Sequence, residues 1–317
     1  MRLRRVHTGG LRVAVVGHVE WVQFARVEHV PRAGEVVHAS DPFEEPAGGG
    51  AVAAVQLARL AGAASLVTVL GDDVFGSRSA ARLLALGVDV RASMASVPSR
   101  RAVTLVDDAG ERTITTFGPR LEPRGAEERA GESPGAQSSG AAPSGKARRG
   151  PSHERWSELE ELDAVYFTAG DEAELRLARA RARVLVASPR ARDALGHGVR
   201  LDALVLSGDD EIELRAAEPA LAEAELVVWT EGERGGRYRR SDGATGGWQA
   251  APLPGKRVDS YGCGDSFAAG LTYGLGAGLA LDGALALAAR CGAMCATGSG
   301  PYERQLSRAD LGERRAS

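Results

Sequence analysis

Three cysteines in 317 residues, Cys263, Cys291 and Cys295, make no metal-binding pattern. A sparse, odd count fits a reducing compartment better than a disulfide-stapled scaffold. Cys291 and Cys295 lie four apart in an expected helix and read as small core residues. No apolar run approaches the 18 residues of a membrane span. The opening MRLRRVHTGG is basic but lacks the apolar stretch of a signal peptide, so a cytoplasmic location is expected. An excess of one charge is missing too. Lys and Arg number 39 against 42 Asp and Glu, a formal net charge of −3, which leaves no global footprint for nucleic acid. Neither nucleic acid nor membrane is expected as a partner.

What is present is ordinary globular composition, 44% hydrophobic and 26% charged, with one departure. Glycine is abundant, 41 residues, nearly double the usual share of about 7%. Excess glycine without a collagen period suggests tight loops where backbone approaches a ligand.

Strand and helix alternate along most of the chain. LRVAVVG (11–17) reads as a buried strand, residues 51–61 as a helix, and SLVTVLG (65–71) as a strand. GSRSAARLLALG (76–87) is an amphipathic helix with a glycine stop. VDVRASM, RAVTLVDD and RTITTFG give three strands in succession, with a hairpin turn at DDAGER. Later, AVYFTAG (164–170), RVLVAS (183–188), ALVLSG (203–208) and LVVWTEG (226–232) are nearly continuous apolar runs, as in a parallel sheet covered on both faces. A helix over 171–182, a hairpin from GGRYRRSD to GGWQAAPL, and helices over 266–278 and 281–297 complete the pattern. The expected fold is α/β: a doubly wound, mostly parallel sheet with helices on both faces. It forms one domain over 11–317, with small β-lid elements near 18–45 and 88–118. Residues 122–155 contain no Val, Ile, Leu, Met, Phe, Tyr, Trp or Cys. Such a stretch cannot bury enough apolar area to offset its ordering entropy and reads as a flexible insertion.

The sharpest chemical signal is DSYGCGDSFAAG (259–270). Gly262, Cys263 and Gly264 precede an apolar helix, where converging N–H groups and the helix dipole form an anion cradle. Asp265 beside that cradle repels an anion, which makes sense if it takes a proton from a hydroxyl while the cradle holds phosphoryl charge. Asp265 as a plain helix cap reads equally well. GGGAVAAVQLARLAG (48–62) opens a helix with three glycines, a ligand contact or a flexible turn. TEGERGG (230–236), after an apolar strand, is placed for nucleotide contacts. SGDDE (207–211) could hold Mg²⁺ through waters, or be a solvated acidic helix start.

These motifs, in this order, resemble the ribokinase-like carbohydrate kinases, the phosphofructokinase-B family. GCGDSFAAG resembles the C-terminal signature, GGGAVAAVQLARLAG the N-terminal glycine motif, GDDVFG followed by LGVDV the segment after it, and TEGERG the nucleotide loop. The resemblance runs from about residue 11 to 301, interrupted at 122–155. It implies transfer of the ATP γ-phosphoryl group to a sugar-like hydroxyl under a small β lid. It also implies that Asp265 is the base and that Gly262, Cys263 and Gly264 stabilise the transferring charge. Thr230, Gly232 and Gly235 would line the ATP site. Glu20, Gly48, Gly49 and Ala53 would contact the acceptor. Mg²⁺ would bridge the phosphates, with Glu211 reaching it through water. Asp259 falls at a position associated with a monovalent cation. A homodimer is left open.

The departures lie at the acceptor end. Glu20 and Val22 stand where the family has Asn and Asp, Ala53 and Gly208 where it has Asn, and Cys263 where Ala is commoner. Losing groups that pair with hydroxyls costs orders of magnitude in recognition, so the acceptor is not expected to be bound as ribose is. Glu20 is expected to take over hydroxyl recognition, or else to pair with an arginine such as Arg112. Trp21 could stack on the acceptor or anchor the lid. The acceptor is a sugar or a nucleoside; a non-catalytic ligand-binding relative is the competing reading.

Overall fold

A computed structural model describes residues 10–125, 152–159 and 161–312. Its first strand, β1 (Val13–Val16), is buried along its whole length. Strands β2 (Glu20–Arg26) and β3 (Ser40–Ala47), helix α1 (Gly49–Ala61), strand β4 (Ala64–Gly71) and helix α2 (Val74–Ala85) follow. Then come β5 (Val88–Ala95), β6 (Arg101–Val106), β7 (Arg112–Phe117) and the short helix α3 (Ser152–Arg155). The second half runs β8 (Leu162–Phe167), α4 (Glu172–Arg181), β9 (Ala182–Ala187), β10 (Ala203–Ser207), α5 (Glu211–Ala217) and β11 (Leu226–Thr230). A hairpin, β12 (Gly236–Arg240) and β13 (Thr245–Trp248), leads to α6 (Cys263–Gly276) and α7 (Leu281–Cys295).

Nine strands form one sheet in the order β13-β12-β11-β10-β9-β8-β1-β4-β5. Every neighbouring pair from β11 to β5 is parallel, and only the terminal hairpin runs antiparallel. Successive side chains of a strand point to opposite faces. Thus Val13 and Val15 of β1 join one core with α1 and α6, while Ala14 and Val16 join the core on the other face with Leu162, Leu175 and Leu185. This is the doubly wound sheet the apolar runs predict. From β1 the chain winds one way to β4 and β5 and the other way from β8 to β11. The carboxyl ends of β1 and β8 therefore flank the switch point where such sheets bind ligands.

A second sheet, β3-β2-β6-β7, forms the small appendage. One strand expected in it belongs elsewhere. Val88–Ala95 pairs with β4 over eight residues and is the edge of the large sheet. Within the 18–45 stretch expected in the lid, β3 pairs with β2 as an edge strand. Pro42 and Pro46 hide that strand from a pattern search, because proline cannot donate to a ladder and is tolerated only at edges.

The insertion also needs correcting at its ends; residues 126–151 lie outside the described residues. Gly125 N–H donates to Asp171 Oδ1 at 2.9 Å. Arg155 is 5% exposed and donates to Ser93 Oγ (2.6 Å), Arg124 O (2.8 Å) and Glu174 Oε2 (3.0 Å). Arg124, Gly125 and Arg155 are thus anchored. A buried carboxylate partner allows an arginine to be buried where apolar area alone would not. Among the described residues no helix is long and apolar enough to cross a membrane.

Candidate active site

The site begins with glycines that let three backbone segments touch. A Cβ on Gly50 would stand 2.6 Å from Gly17 C and 2.7 Å from His18 O, so the first turn of α1 lies directly on the loop leaving β1. Gly48, at the N-cap of α1, has φ +88°, which favours glycine. A Cβ there would meet His18 Nε2 at 2.9 Å and Glu20 Cγ at 3.3 Å. One on Gly49 would meet Asp265 Oδ1 at 3.0 Å and Thr168 Oγ1 at 3.3 Å. The triple glycine is therefore not a loose turn. It brings the ends of β1 and β8, the start of β2 and the first turn of α6 around one point. Tyr261 adds to the join by accepting a 3.3 Å hydrogen bond from Gly48 N–H through its hydroxyl.

Helix α6 begins at the glycine-rich turn expected to form an anion cradle. Its N-cap, Gly262, is left-handed (φ 80°, ψ 0°) and no side chain caps the helix. The N–H groups of the first turn have no intrahelical acceptors, and the dipole places positive charge there. A Cβ on Gly264 would meet nothing within 4 Å, so a ligand has room to approach that turn. Asp265 is 9% exposed and is not the cap. Its Oδ1 lies 3.4 Å from Arg190 Nη1. Arg190 Nε in turn donates to Glu213 Oε1 at 2.9 Å, and Glu213 Oε2 accepts from Ser207 N–H at 2.9 Å. A chain of charged hydrogen bonds from β10 thus sets the rotamer of Arg190 beside Asp265.

Other expected site residues have local duties. Asp259 is 2% exposed; its two oxygens accept from Tyr261 N–H (2.8 Å) and Gly300 N–H (2.9 Å), bracing the cradle loop. Burial pushes its carboxyl up from the ordinary value, and those two hydrogen bonds oppose the shift. Cys263 is half-buried, with Sγ 3.8 Å from Asp259 O. Thr230 Oγ1 donates to Leu206 O at 3.4 Å at the end of β11. Gly235 has φ +86° and crowds Trp248, whereas Gly232 faces open space. Glu211 is exposed and pairs with Arg215 at 3.0 Å. Its neighbour Glu213 is the half-buried one. Among the described residues no group of three or more His, Cys, Asp and Glu could hold a metal ion.

The rewritten acceptor positions follow. Val22 and Ala53 are fully buried core residues. Glu20 is 7% exposed; its Oε2 lies 3.4 Å from Arg100 Nε, so its arginine is Arg100, while Arg112 bonds to Ser260. Burial pushes the Glu20 carboxyl up, against the pull of Arg100 and Arg120. Burial holds His18 well below the usual imidazole value, helped by Arg120, Arg190 and Arg100. Arg120 donates to Thr168 O (2.8 Å) and Arg190 O (3.0 Å). Trp21 is 5% exposed, 5.9 Å from the Phe75 ring and under the Arg78 guanidinium at 4.2 Å, so it anchors the lid strand on α2. His18, Arg100, Arg120, Arg190 and Glu213 were not singled out by the sequence. The one signal was that Arg190 follows β9, at a strand's carboxyl end. A hollow of about 1110 Å³, lined by Asp72, Arg91, Met94 and Arg155 among others, contains neither the α6 glycines nor Asp265.

A doubly wound sheet with a glycine-lined, uncapped helix start and an adjoining carboxylate at its switch point defines the class: an α/β protein of the open-sheet kind. The chain belongs to the pfkB family of carbohydrate kinases, whose model matches residues 11–132 and 201–307. It is 31% identical over 108 residues to the ribokinase of Dictyostelium discoideum, a match spanning 33% of this chain and 34% of that protein's length. In fold it resembles a putative ribokinase from Agrobacterium tumefaciens (TM-score 0.71, 19% identity, covering 96% of this chain and 97% of that one). It also resembles Arabidopsis thaliana ribokinase complexed with ribose and ATP (TM-score 0.66, 17% identity, 95% and 97%).

Proposed function

We propose that the protein transfers the γ-phosphoryl group of ATP to a hydroxyl of a sugar or sugar-like acceptor. The observation that carries this reading is the position of Asp265: in the first turn of α6, beside an uncapped helix terminus, facing the backbone of Gly49. Asp265 accepts the hydroxyl proton, the hydroxyl oxygen bonds to the γ-phosphorus, and the bond to the β-phosphate oxygen breaks to release ADP. The cradle at Gly262, Cys263 and Gly264 stabilises charge on the group in transit. Arg190 holds the Asp265 carboxylate in place. Thr230 and Gly232 border the nucleotide, and the ribokinase likenesses agree with ATP as donor. Mg²⁺ would neutralise the ATP phosphates. With no carboxylate cluster among the described residues, it would be held chiefly by those phosphates and water.

The test is ADP release with MgATP over a panel of sugars and nucleosides, with Asp265→Asn as control. Turnover that vanishes in the variant, with MgATP still bound, supports the reading. MgATP binding with no acceptor turned over by the wild type would instead mark a non-catalytic ligand-binding protein.

A further inference from the structure

Phosphoryl transfer uses the main chain of Cys263 and leaves its thiol without a task. That thiol stands where alanine is commoner in the family, and it is half-buried rather than sealed in the core. A second thiol meets it. Cys295, the last residue of α7, is fully buried against the turn that opens α6. Cys295 Sγ donates to Tyr261 O at 3.4 Å, and Cys263 Sγ to Asp259 O at 3.8 Å, so both sulfurs sit on one short turn. A Cβ on Gly262, next to Cys263, would stand 3.7 Å from Cys295 Sγ. The two side chains also share a hydrogen bond, which with burial pushes the Cys295 thiol well above its ordinary value. Cys291, one turn earlier on α7, packs elsewhere: a Cβ on Gly270, two turns into α6, would meet its Sγ at 2.7 Å.

We propose that Cys263 and Cys295 form a reversible disulfide, with a hydroperoxide as oxidant, and that the link switches the start of α6 to a shape that no longer holds its ligand. Cys263 is the thiol that an oxidant from solvent reaches. Its sulfur attacks one peroxide oxygen, the O–O bond breaks, and the departing hydroxide takes the thiol proton as water, leaving a sulfenic acid. Cys295 Sγ then attacks the sulfenic sulfur. The S–S bond forms, and the hydroxyl leaves with the Cys295 proton as a second water. Two thiols are oxidised and one peroxide is reduced. A small-molecule thiol reverses the link by exchange. Disulfides in reducing compartments are of this transient, redox-sensing kind.

The turn has to accommodate the link, because the helices have no room. Bonded sulfurs lie well inside van der Waals contact, so the two residues must be drawn together. A Cβ on Gly270 would stand 2.9 Å from Ala288 Cα, and one on Gly274 2.9 Å from Ala284 Cα, so α6 and α7 already touch. Close-packed interiors transmit strain. The displacement falls on residues 259–264, whose N–H groups the proposed reaction uses. The effect on MgATP rests on that phosphoryl-transfer reading; the link itself does not.

The experiment treats the reduced full chain with hydrogen peroxide, alkylates the remaining thiols after denaturation, and maps the peptides by mass spectrometry. Of the three thiols only Cys291 should remain free, with one link joining Cys263 to Cys295 within a chain. Titration calorimetry should show MgATP binding about tenfold or more weaker in the linked form, the scale of coupling between sites, and restored by dithiothreitol. By reciprocity, MgATP should make the disulfide easier to reduce in a glutathione buffer. Cys295→Ala removes the resolving thiol: untreated, it should bind MgATP as wild type does, and peroxide should leave Cys263 as sulfenic or higher acids without a link. Thermal melts check its fold, and Cys263→Ala, which also cannot link, is the second arm. Three free thiols after treatment, a link to Cys291, or links only between chains would overturn the inference. So would a Cys263–Cys295 link that leaves MgATP binding unchanged. A link that weakens MgATP binding in a chain that phosphorylates no acceptor would uphold it and sink the kinase reading, whereas turnover untouched by peroxide, with no link formed, would do the reverse.

Discussion

The two ends of the candidate site are built from different materials. The phosphoryl end is one continuous stretch, residues 259–265, and its working parts are main-chain N–H groups, two glycines and one carboxylate. The acceptor end is assembled from side chains on four segments, around His18 and Glu20, Arg100, Arg120 and Arg190. The first can be read as a motif because neighbours in sequence are neighbours in space. The second exists only when the lid sheet, the loop after β7 and the end of β9 meet. Chemistry common to a family can reside in the first, and the choice of acceptor can vary in the second without disturbing it.

Substitutions at each end should break that contrast or sharpen it. Asp265→Asn should have the largest effect, lowering kcat by about 10²–10⁴ with MgATP affinity near wild type, as steady-state kinetics and nucleotide titration would show. Near-normal turnover would remove Asp265 from the chemistry. Next comes Gly50→Ala, at the junction of the two ends. Its Cβ would press on backbone atoms of Gly17 and His18, which cannot rotate away. Overpacking of that kind costs about 1–3 kcal/mol, and thermal unfolding should show the midpoint falling by several degrees.

The smallest effect should be a pH dependence at the acceptor end. Burial raises the Glu20 carboxyl above its unfolded value, so the native state binds its proton more tightly. That stabilisation is complete below the unfolded value of about 4.3 and is lost as pH rises through the elevated one. Glu20→Gln cannot titrate. The melting temperature of this variant relative to wild type should therefore rise with pH from about 4 toward neutrality, and its KM should increase for the acceptor but not for ATP. A constant difference across pH would mean that Glu20 titrates alike in the folded and unfolded states.

Most of the sheet was legible because parallel strands covered on both faces must be apolar along their length, as 13–16, 164–167 and 203–206 are. The lid was less so. β3 carries two prolines and three acidic residues, and its pairing with β2 is visible only in the sheet. The strand at 88–95 has the same local character whether it joins the lid or the large sheet. Its partner, β4, decides the matter. Arg155 looked solvated because its partner, Glu174, is 19 residues away.

The sequence by itself determined the layered α/β sheet, the glycine junction and the carboxylate beside the cradle. Each depends on local backbone geometry or on periodic burial, which a run of residues states directly. Only the tertiary structure decided what surrounds His18 and Glu20. Arg100, Arg120 and Arg190 are ordinary surface residues in any local window. Their partial burial, their shared pull on His18 and Glu20, and the Glu213 bridge behind Arg190 arise from contacts between segments 20 to about 170 residues apart. Electrostatic fields add across space rather than along the chain, so no local pattern could announce them.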